Sequence, residues 1–184
     1  MIQTILGLPP LDKEQEQLVH ELFKAHRSAT LDNENLSKAI FSNAAFGSGD
    51  AVMGIAAGLL STGGVHAPIV KARSILFHQP IEHIVKLLDL KIKIPGFGNS
   101  FHKQGIDPAF RFVQAMCENG TYPEYDRVLE IQEIIKKGTG KLLYPNAAAF
   151  TAIVAERLKL AKTQELALFI IPRIGAWLSL PQNA

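Results

Sequence analysis

The chain has 184 residues, of which 47% are hydrophobic, and its 19 Lys and Arg residues against 17 Asp and Glu give a formal net charge of +2. This length and apolar content suit one well-filled domain, and a small charge without runs of one sign gives no argument for nucleic acid binding. The one cysteine, Cys117, excludes a disulfide within the chain and favours a reducing, cytoplasmic location.

The most apolar segment, residues 166–180, contains Pro172 and Arg173. It is shorter than the about 20 residues that a membrane span needs, so we expect a buried helix and no membrane contact. The N-terminus has no basic stretch before an apolar one, and no secretory signal is expected. We predict no metal site.

Caps, prolines, glycines and hydrophobic periodicity divide the chain into eight or nine predicted helices without a convincing strand. We expect a single all-α domain over residues 1–184, with an irregular arm at 1–11 and no simple bundle. The predicted helices run from Asp12 to about Arg27, Asn33 to about Asn43, Ala51 to Leu60, Pro68 to about Phe77, Pro80 to about Leu90, Asp107 to Asn119, Pro123 to Lys137, Asn146 to about Leu160, and from Thr163 or Gln164 onward.

The helix predicted over residues 51–60 contains no charged residue, so we expect it to be buried on all sides. Its small residues, among them Gly54 and Gly58, would let another helix approach closely. Such a helix is typical of the centre of a fold or of a subunit interface.

Gly63 and Gly64 end this helix, and His66 follows just before a new helix. The positive end of a helix dipole favours the neutral imidazole, which can donate a hydrogen bond to a substrate carbonyl without being an ion. Alternatively, a histidine at this position could serve simply as the cap of its own helix. The residues alone leave both interpretations open.

A second Gly-rich segment reads Pro95-Gly96-Phe97-Gly98-Asn99, with Lys103 shortly after it. Two glycines one residue apart expose backbone N–H groups that can bind an anion or a flat ring, although a plain loop explains the pattern equally well. Two further candidates are the Tyr144-Pro145-Asn146 segment before a helix and Arg173 in the apolar last helix, which could bind an anionic ligand or only pair or snorkel.

Taken in this order, the four segments resemble signatures of the citrate synthase superfamily, which includes the citryl-CoA lyases. The resemblance covers about residues 28–180, and the chain is short for the family at its N-terminal side. The matching stretches are Gly63–Pro68, Pro95–Asn99 with Asp107-Pro108 after it, Tyr144–Ala149 and Arg173–Trp177.

The resemblance implies a protein that condenses or cleaves a carbon–carbon bond next to a coenzyme A thioester, as a transferase or a lyase. It places His66 on the thioester carbonyl, Arg173 on the carboxylate of a small acid, and coenzyme A on Pro95, Gly96, Phe97, Gly98 and Lys103. It also implies a homodimer formed through buried helices.

Three positions depart from the family pattern. Asn99 stands where the family has a second catalytic histidine, Ala148 where it has the aspartate base, and Ala109 where it has an arginine. Asn99 can still donate a hydrogen bond, but Ala148 can do no proton chemistry. His102 and Asp107 are the nearest replacement bases in sequence.

These departures leave two hypotheses: an enzyme of the family with altered or weakened catalysis, and a non-catalytic acyl-CoA-binding relative or inactive subunit of a larger complex. A third, a helical interaction protein that keeps only the fold, is disfavoured because His66, Arg173 and the glycine loop are retained.

Overall fold

The computed structural model describes residues 4, 7–8, 10–32, 36–61 and 69–180, and in these ranges every regular element is helical. The expected all-α class is confirmed. The helices are α1 Lys13–Asp32, α2 Leu36–Ser48, α3 Ala51–Ser61, α4 Ile69–His78, α5 Ile81–Asp89, a 3₁₀ turn Pro108–Phe110, α6 Arg111–Asn119, α7 Pro123–Thr139, α8 Ala147–Arg157 and α9 Lys162–Leu178.

Four predicted helix ends are wrong, each because a buried or left-handed residue decides the end. Helix α1 continues five residues beyond Arg27 to Asp32, because its last turns bury Ala29 and Thr30 in the core. Helix α2 continues five residues beyond Asn43 to Ser48 and ends before Gly49, which has φ +67°. Helix α7 continues through Gly138 to Thr139 and ends before Gly140, which has φ +70°. Helix α8 ends at Arg157 rather than Leu160, and Lys159 follows with φ +52°.

The core surrounds α8, in which every residue from Ala148 to Ala155 is buried. Four of these eight residues are alanines, so neighbouring helices can approach the α8 backbone closely. Helices α1, α4, α7 and α9 all pack against it. Because α8 begins at the Tyr144–Asn146 segment, the core fixes the position of that predicted site segment.

Helix α3 packs through one face only, so the expectation that it is buried on all sides is wrong for the single chain. Gly54 lies against Phe41 of α2, and Gly58 lies against the Trp177 ring of α9, where an added Cβ would come within 3.0 Å of the ring. Phe41 and Trp177 stack with their centroids 5.8 Å apart. The opposite face leaves Met53 55% and Leu60 87% exposed.

A buried ion cluster joins α4, α8 and α9. Arg73 donates from Nε to Glu156 at 2.9 Å and from Nη1 to the Leu160 carbonyl at 2.7 Å, and its Nη1 lies 3.5 Å from Glu165. Burial raises the pKa of Glu165. Burial alone would also raise the pKa of Glu156, but hydrogen bonds from Lys159, Arg73 and His78 outweigh it and lower that pKa to about 2.

Cys117 is buried on α6, with 3% of its surface exposed. Burial, and after it the nearby Glu124 and Glu118 carboxylates, raises the pKa of its thiol to about 12. The thiol is therefore protonated at neutral pH. Helix α9 contains Pro172 as expected, and among the described helices none is long and apolar enough to cross a bilayer.

Candidate active site

The Gly-rich segment 95–99 is joined to the start of α8 by a short backbone ladder. Gly98 N–H donates to the Tyr144 carbonyl, and Asn146 N–H donates to the Gly96 carbonyl, both at 2.9 Å. The ladder forms a single isolated bridge between Phe97 and Pro145. Two segments that the sequence separates by 44 residues or more are thereby in contact.

Asn146 stabilises the contact between the loop and α8 through both the oxygen and the nitrogen of its side-chain amide. Its Oδ1 accepts the Ala148 N–H at 2.9 Å and so caps α8, while its Nδ2 donates to the Gly98 carbonyl at 2.8 Å. Gly96 and Gly98 have φ values of +96° and +80°, a region in which other residues are strained. The loop is therefore held in one conformation by residues that the two segments supply together.

Asn99 lies at the end of this loop and is half-buried. Its Oδ1 accepts the Phe101 N–H at 2.8 Å, so part of its amide serves the turn itself. Its Nδ2 is the group that could donate to a ligand. Pro95 and Phe97 are half-buried beside it, and Lys103 is exposed to solvent further along the same loop.

The two replacement bases suggested by the sequence lie side by side. His102 Nε2 is 3.6 Å from Asp107 Oδ2, a distance for an ion pair rather than a hydrogen bond. The side chain of His102 is 27% exposed, whereas that of Asp107 is 8% exposed. Asp107 Oδ1 also accepts the Ala109 N–H at 3.0 Å, which caps the 3₁₀ turn before α6.

Arg173 is buried in the middle of α9. Its Nη1 donates to Thr30 Oγ1 of α1 at 3.2 Å, and its guanidinium lies 3.9 Å above the centroid of the Phe169 ring. Its Nε is buried without a hydrogen-bond partner. Burial lowers the pKa of Arg173 to about 10 and the Asp107 carboxylate opposes that shift, so the side chain is a cation at neutral pH.

His26 of α1 extends this polar group toward α8. Thr151 donates to the Ala147 carbonyl and accepts from His26 Nε2, both at 2.8 Å, which assigns the proton of the neutral ring to Nε2. The Nδ1 atom is buried without a partner. Burial, and secondarily Arg173, lowers the pKa of His26 well below 6.5. Phe110 and Phe169 contact the ring edge-on at centroid distances of 5.2 and 5.0 Å.

The structure brings together most of the predicted site residues. The Pro95–Asn99 loop, the start of α8 and the His102–Asp107 pair adjoin one another along the chain or through direct hydrogen bonds, and Arg173 lies within electrostatic reach of Asp107. His66 and its turn, residues 62–68, lie outside the described residues. In the ranges that the structure describes, no three His, Cys, Asp or Glu side chains form a group that could hold a metal ion.

The sequence profile of the family described as citrate synthase, C-terminal domain, matches residues 50–180. The chain belongs to this family. The match includes the Gly-rich loop, the start of α8 and Arg173, but it begins after α1, which supplies Thr30 and His26. No curated protein sequence matches the chain significantly.

Two solved structures share the fold over almost the whole chain. Citryl-CoA lyase from Hydrogenobacter thermophilus matches with a TM-score of 0.76 and 21% identity, covering 96% of this chain and 72% of that one. A mutant of the ATP citrate lyase of Methanosaeta concilii, in complex with (3S)-citryl-CoA, matches with a TM-score of 0.70 and 16% identity. That match covers 92% of this chain but 32% of the lyase chain, and at these identities both likenesses show the fold alone.

Sequence reasoning missed His26, Thr30 and Thr151. The predicted end of α1 near Arg27 placed Thr30 outside the helix, and nothing local marks His26 as a partner of α8. A longer α1 could have been found from the spacing of Leu22, Ala25 and Ala29, which continues one apolar face past Arg27.

Proposed function

We propose that this protein binds a coenzyme A thioester and a small carboxylic acid where the Pro95–Lys103 loop meets the start of α8 and Arg173. The observation that carries the proposal is Arg173, a buried cation whose Nε has no protein partner. A buried polar group is normally hydrogen-bonded. A ligand carboxylate is the group that best satisfies a guanidinium edge, since it can accept two parallel hydrogen bonds.

The glycine loop supports the coenzyme A half of the proposal. The ladder to Tyr144 and Asn146 fixes the loop, which supports the proposal because a ligand would not have to order the loop on binding. Lys103 is exposed at the same loop and adds a positive charge for a phosphate group. Two of the solved structures that share the fold are a citryl-CoA lyase and an ATP citrate lyase in complex with (3S)-citryl-CoA, which agrees with a ligand of this class.

The proposed reaction is a carbon–carbon condensation or cleavage that is altered or weakened in this chain. His66 would donate to the thioester carbonyl, and Asn99 would offer an amide donor where the family has an imidazole. Ala148 cannot take the α-proton, so the proton would pass to His102, which Asp107 positions at 3.6 Å. Losing a general base forfeits about 10²–10⁴-fold in rate.

The alternative is a non-catalytic acyl-CoA-binding relative, or the inactive subunit of a larger complex. The observation that favours it is that two of the remaining polar groups already serve the protein itself. Asn99 Oδ1 accepts from Phe101 N–H, and Asp107 Oδ1 accepts from Ala109 N–H. Both hydrogen bonds complete local turns, which a purely structural role also explains.

Deuterium exchange distinguishes the two functions. The protein is incubated with acetyl-CoA in D₂O, and the loss of methyl protons is followed by NMR, while calorimetry measures coenzyme A binding. Exchange that His66→Ala abolishes supports an enolising enzyme, and binding without exchange supports the alternative. No binding of coenzyme A contradicts both.

A gain-of-function variant sharpens the same test. Ala148→Asp restores a carboxylate in the first turn of α8, where the helix dipole favours it. We expect it to raise exchange by about 10²–10⁴-fold, the usual contribution of a general base. Ala152→Asp, one turn further along α8 and fully buried, is a control that we expect to impair folding without raising exchange.

We further propose a homodimer in the cytoplasm. The exposed apolar side chains of α2 and α3 support the dimer, since large apolar patches mark interaction sites. The buried, protonated Cys117 supports a reducing compartment.

A further inference from the structure

The charge available around Arg173 decides what kind of acid the site can accept. Within the described residues the buried arginines are Arg73 and Arg173. Arg73 already contacts Glu156, Glu165 and the Leu160 carbonyl, so its charge is matched by two carboxylates of the protein itself. Arg173 is therefore the one buried arginine in these ranges that retains a buried N–H without a partner, at Nε.

Among the described residues, the groups that contact Arg173 offer no second positive charge. Phe169 lies beneath the guanidinium, and Phe110 and Phe169 enclose His26 on two sides. Burial keeps His26 neutral, because its pKa lies well below 6.5. The backbone N–H of Ala109 is engaged by Asp107, and the alanine side chain offers neither charge nor hydrogen bond.

Among the described residues, the charge that acts on Arg173 is negative. The Asp107 carboxylate is 7% exposed and interacts electrostatically with the guanidinium. One ligand carboxylate on the Nε edge would satisfy Arg173. A second carboxylate on the same ligand would be buried among aromatic rings, close to Asp107 and without a second free buried arginine among the described residues, which is strongly unfavourable.

We propose that the acid bound at this site is a monocarboxylate with an uncharged, largely apolar remainder. This inference rests on the proposed function and names the substrate class of the same site. The carboxylate binds the Nε edge of Arg173, and the remainder lies against the rings of Phe110 and Phe169 and the methyl group of Ala109.

A pair of acids that differ only in the second carboxylate tests the inference. 2-Oxobutyrate and oxaloacetate are both four-carbon 2-oxo acids, and a methyl group in the first replaces a carboxylate in the second. Calorimetry on the full chain, with and without coenzyme A, is expected to show at least ten-fold tighter binding of 2-oxobutyrate. Equal affinities, or tighter binding of oxaloacetate, would overturn the inference.

Two variants and one control tie the preference to these residues. Arg173→Met, similar in length and uncharged, should abolish binding of both acids, whereas Lys136→Met at an exposed pair should change neither affinity. Ala109→Arg adds a cation near Asp107 and should raise the affinity for oxaloacetate relative to 2-oxobutyrate. An unchanged ratio in Ala109→Arg, with the variant folded by circular dichroism, would contradict the assignment of Ala109.

The outcomes separate this inference from the proposed function. Coenzyme A binding together with a preference for oxaloacetate overturns the inference alone. Failure of both acids to bind, with and without coenzyme A, overturns the inference and the acid half of the proposed function. A clear preference for 2-oxobutyrate without coenzyme A binding supports the inference and contradicts the coenzyme A half.

Discussion

His26 shows how a single titratable residue can set the pH dependence of the fold. Its ring is enclosed by Phe110 and Phe169, its Nε2 donates to Thr151, and its Nδ1 is buried without a partner. Protonation would place a second cation near Arg173, and in the described part of the chain no carboxylate contacts the ring. The folded state therefore holds the ring neutral, with its pKa well below 6.5.

We expect this residue to lower the stability of the protein in mild acid. Below pH 6.5 the unfolded chain takes up a proton at His26 and the folded chain does not, so the free energy of unfolding falls as the pH falls. The slope from this one group reaches at most about 1.4 kcal/mol per pH unit. Urea unfolding between pH 7.5 and 5.5 measures it.

His26→Gln is the matched variant, because its amide nitrogen can still donate to Thr151 but does not titrate in this range. The variant should lose most of the pH dependence, whatever its stability at pH 7.5. Glu165, whose pKa is raised, contributes a slope of the opposite sign, but it is present in both proteins. Equal slopes for the two proteins would show that His26 does not titrate as its surroundings indicate.

The sequence predicted the candidate site residues that local chemistry marks and missed those that only packing reveals. Glycine and proline indicate turns through their own backbone preferences, which is why the Pro95–Asn99 loop could be predicted from the sequence. The contact between Arg173 and Thr30 joins residues 143 positions apart, and no local pattern encodes it. Arg173 itself could be singled out because a charge in an apolar helix is unusual.

At the scale of elements, Asn146 couples a helix cap to a loop. Its Oδ1 caps α8 and its Nδ2 holds the Gly98 carbonyl. Asn146→Asp keeps the acceptor but removes the donor, whereas Asn146→Ala removes both. We expect Asn146→Ala to lower the free energy of unfolding by about 2 kcal/mol, adding about 1 for the cap to about 1 for the hydrogen bond.

Asn146→Asp separates stability from ligand binding. The variant should lose less stability than Asn146→Ala, because the cap is retained, yet both should weaken coenzyme A binding, because the loop is released. Denaturant unfolding and calorimetry give the two quantities. If Asn146→Asp bound coenzyme A as tightly as the natural chain does, the hydrogen bond from Asn146 to the loop would have no part in binding.

The Arg73 cluster holds α4 against α8 and α9. Arg73→Met leaves Glu165, 1% exposed, and Glu156 without their shared cation. Breaking a buried pair in this way costs about 3–5 kcal/mol. Lys136→Met, which removes an exposed partner of Glu133, should change the free energy of unfolding by less than about 1 kcal/mol. Similar losses in both variants, measured in urea, would contradict a structural role for the cluster.

The presence of the helices was predicted well because local sequence signals determine it. Their ends were predicted less well because tertiary packing also determines them. Periodicity and N-cap signals correctly marked Asn146 as the cap of α8 and Pro123 as the start of α7. The C-terminal end of α1 depends on Thr30 being buried against α9, which is a tertiary effect. The exposure of one face of α3 could not be predicted either, because its uniformly apolar sequence does not say which neighbour covers it.

At the scale of the whole molecule, the α2–α3 pair leaves apolar surface uncovered. Met53, Ala56 and Leu60 lie on one exposed face of α3, and Phe46 of α2 is 71% exposed. We predict that this surface is buried in a homodimer. Light scattering should give the mass of two chains, and Met53→Glu should convert the protein to a monomer.

The control for the dimer is Leu90→Glu, which places the same charge at a residue that is 61% exposed after α5. That variant should remain dimeric. A monomeric mass for the unmodified protein would overturn the dimer proposal, and dissociation by both substitutions would show that the effect of charge is not specific to α3.

The rate at which a thiol reagent labels Cys117 would measure how often the protein opens around α6. With a pKa of about 12, about one thiol in 10⁴ is ionised at pH 8, and the side chain is also closed to solvent. A maleimide should therefore react only when α6 moves away from the core and exposes the thiol. Helix α6 follows the Asp107–Phe110 turn directly, so any ligand that steadies that turn should slow the reaction. The labelling rate of one sulfur atom would then report whether the site is filled, even if no bond is ever made or broken there.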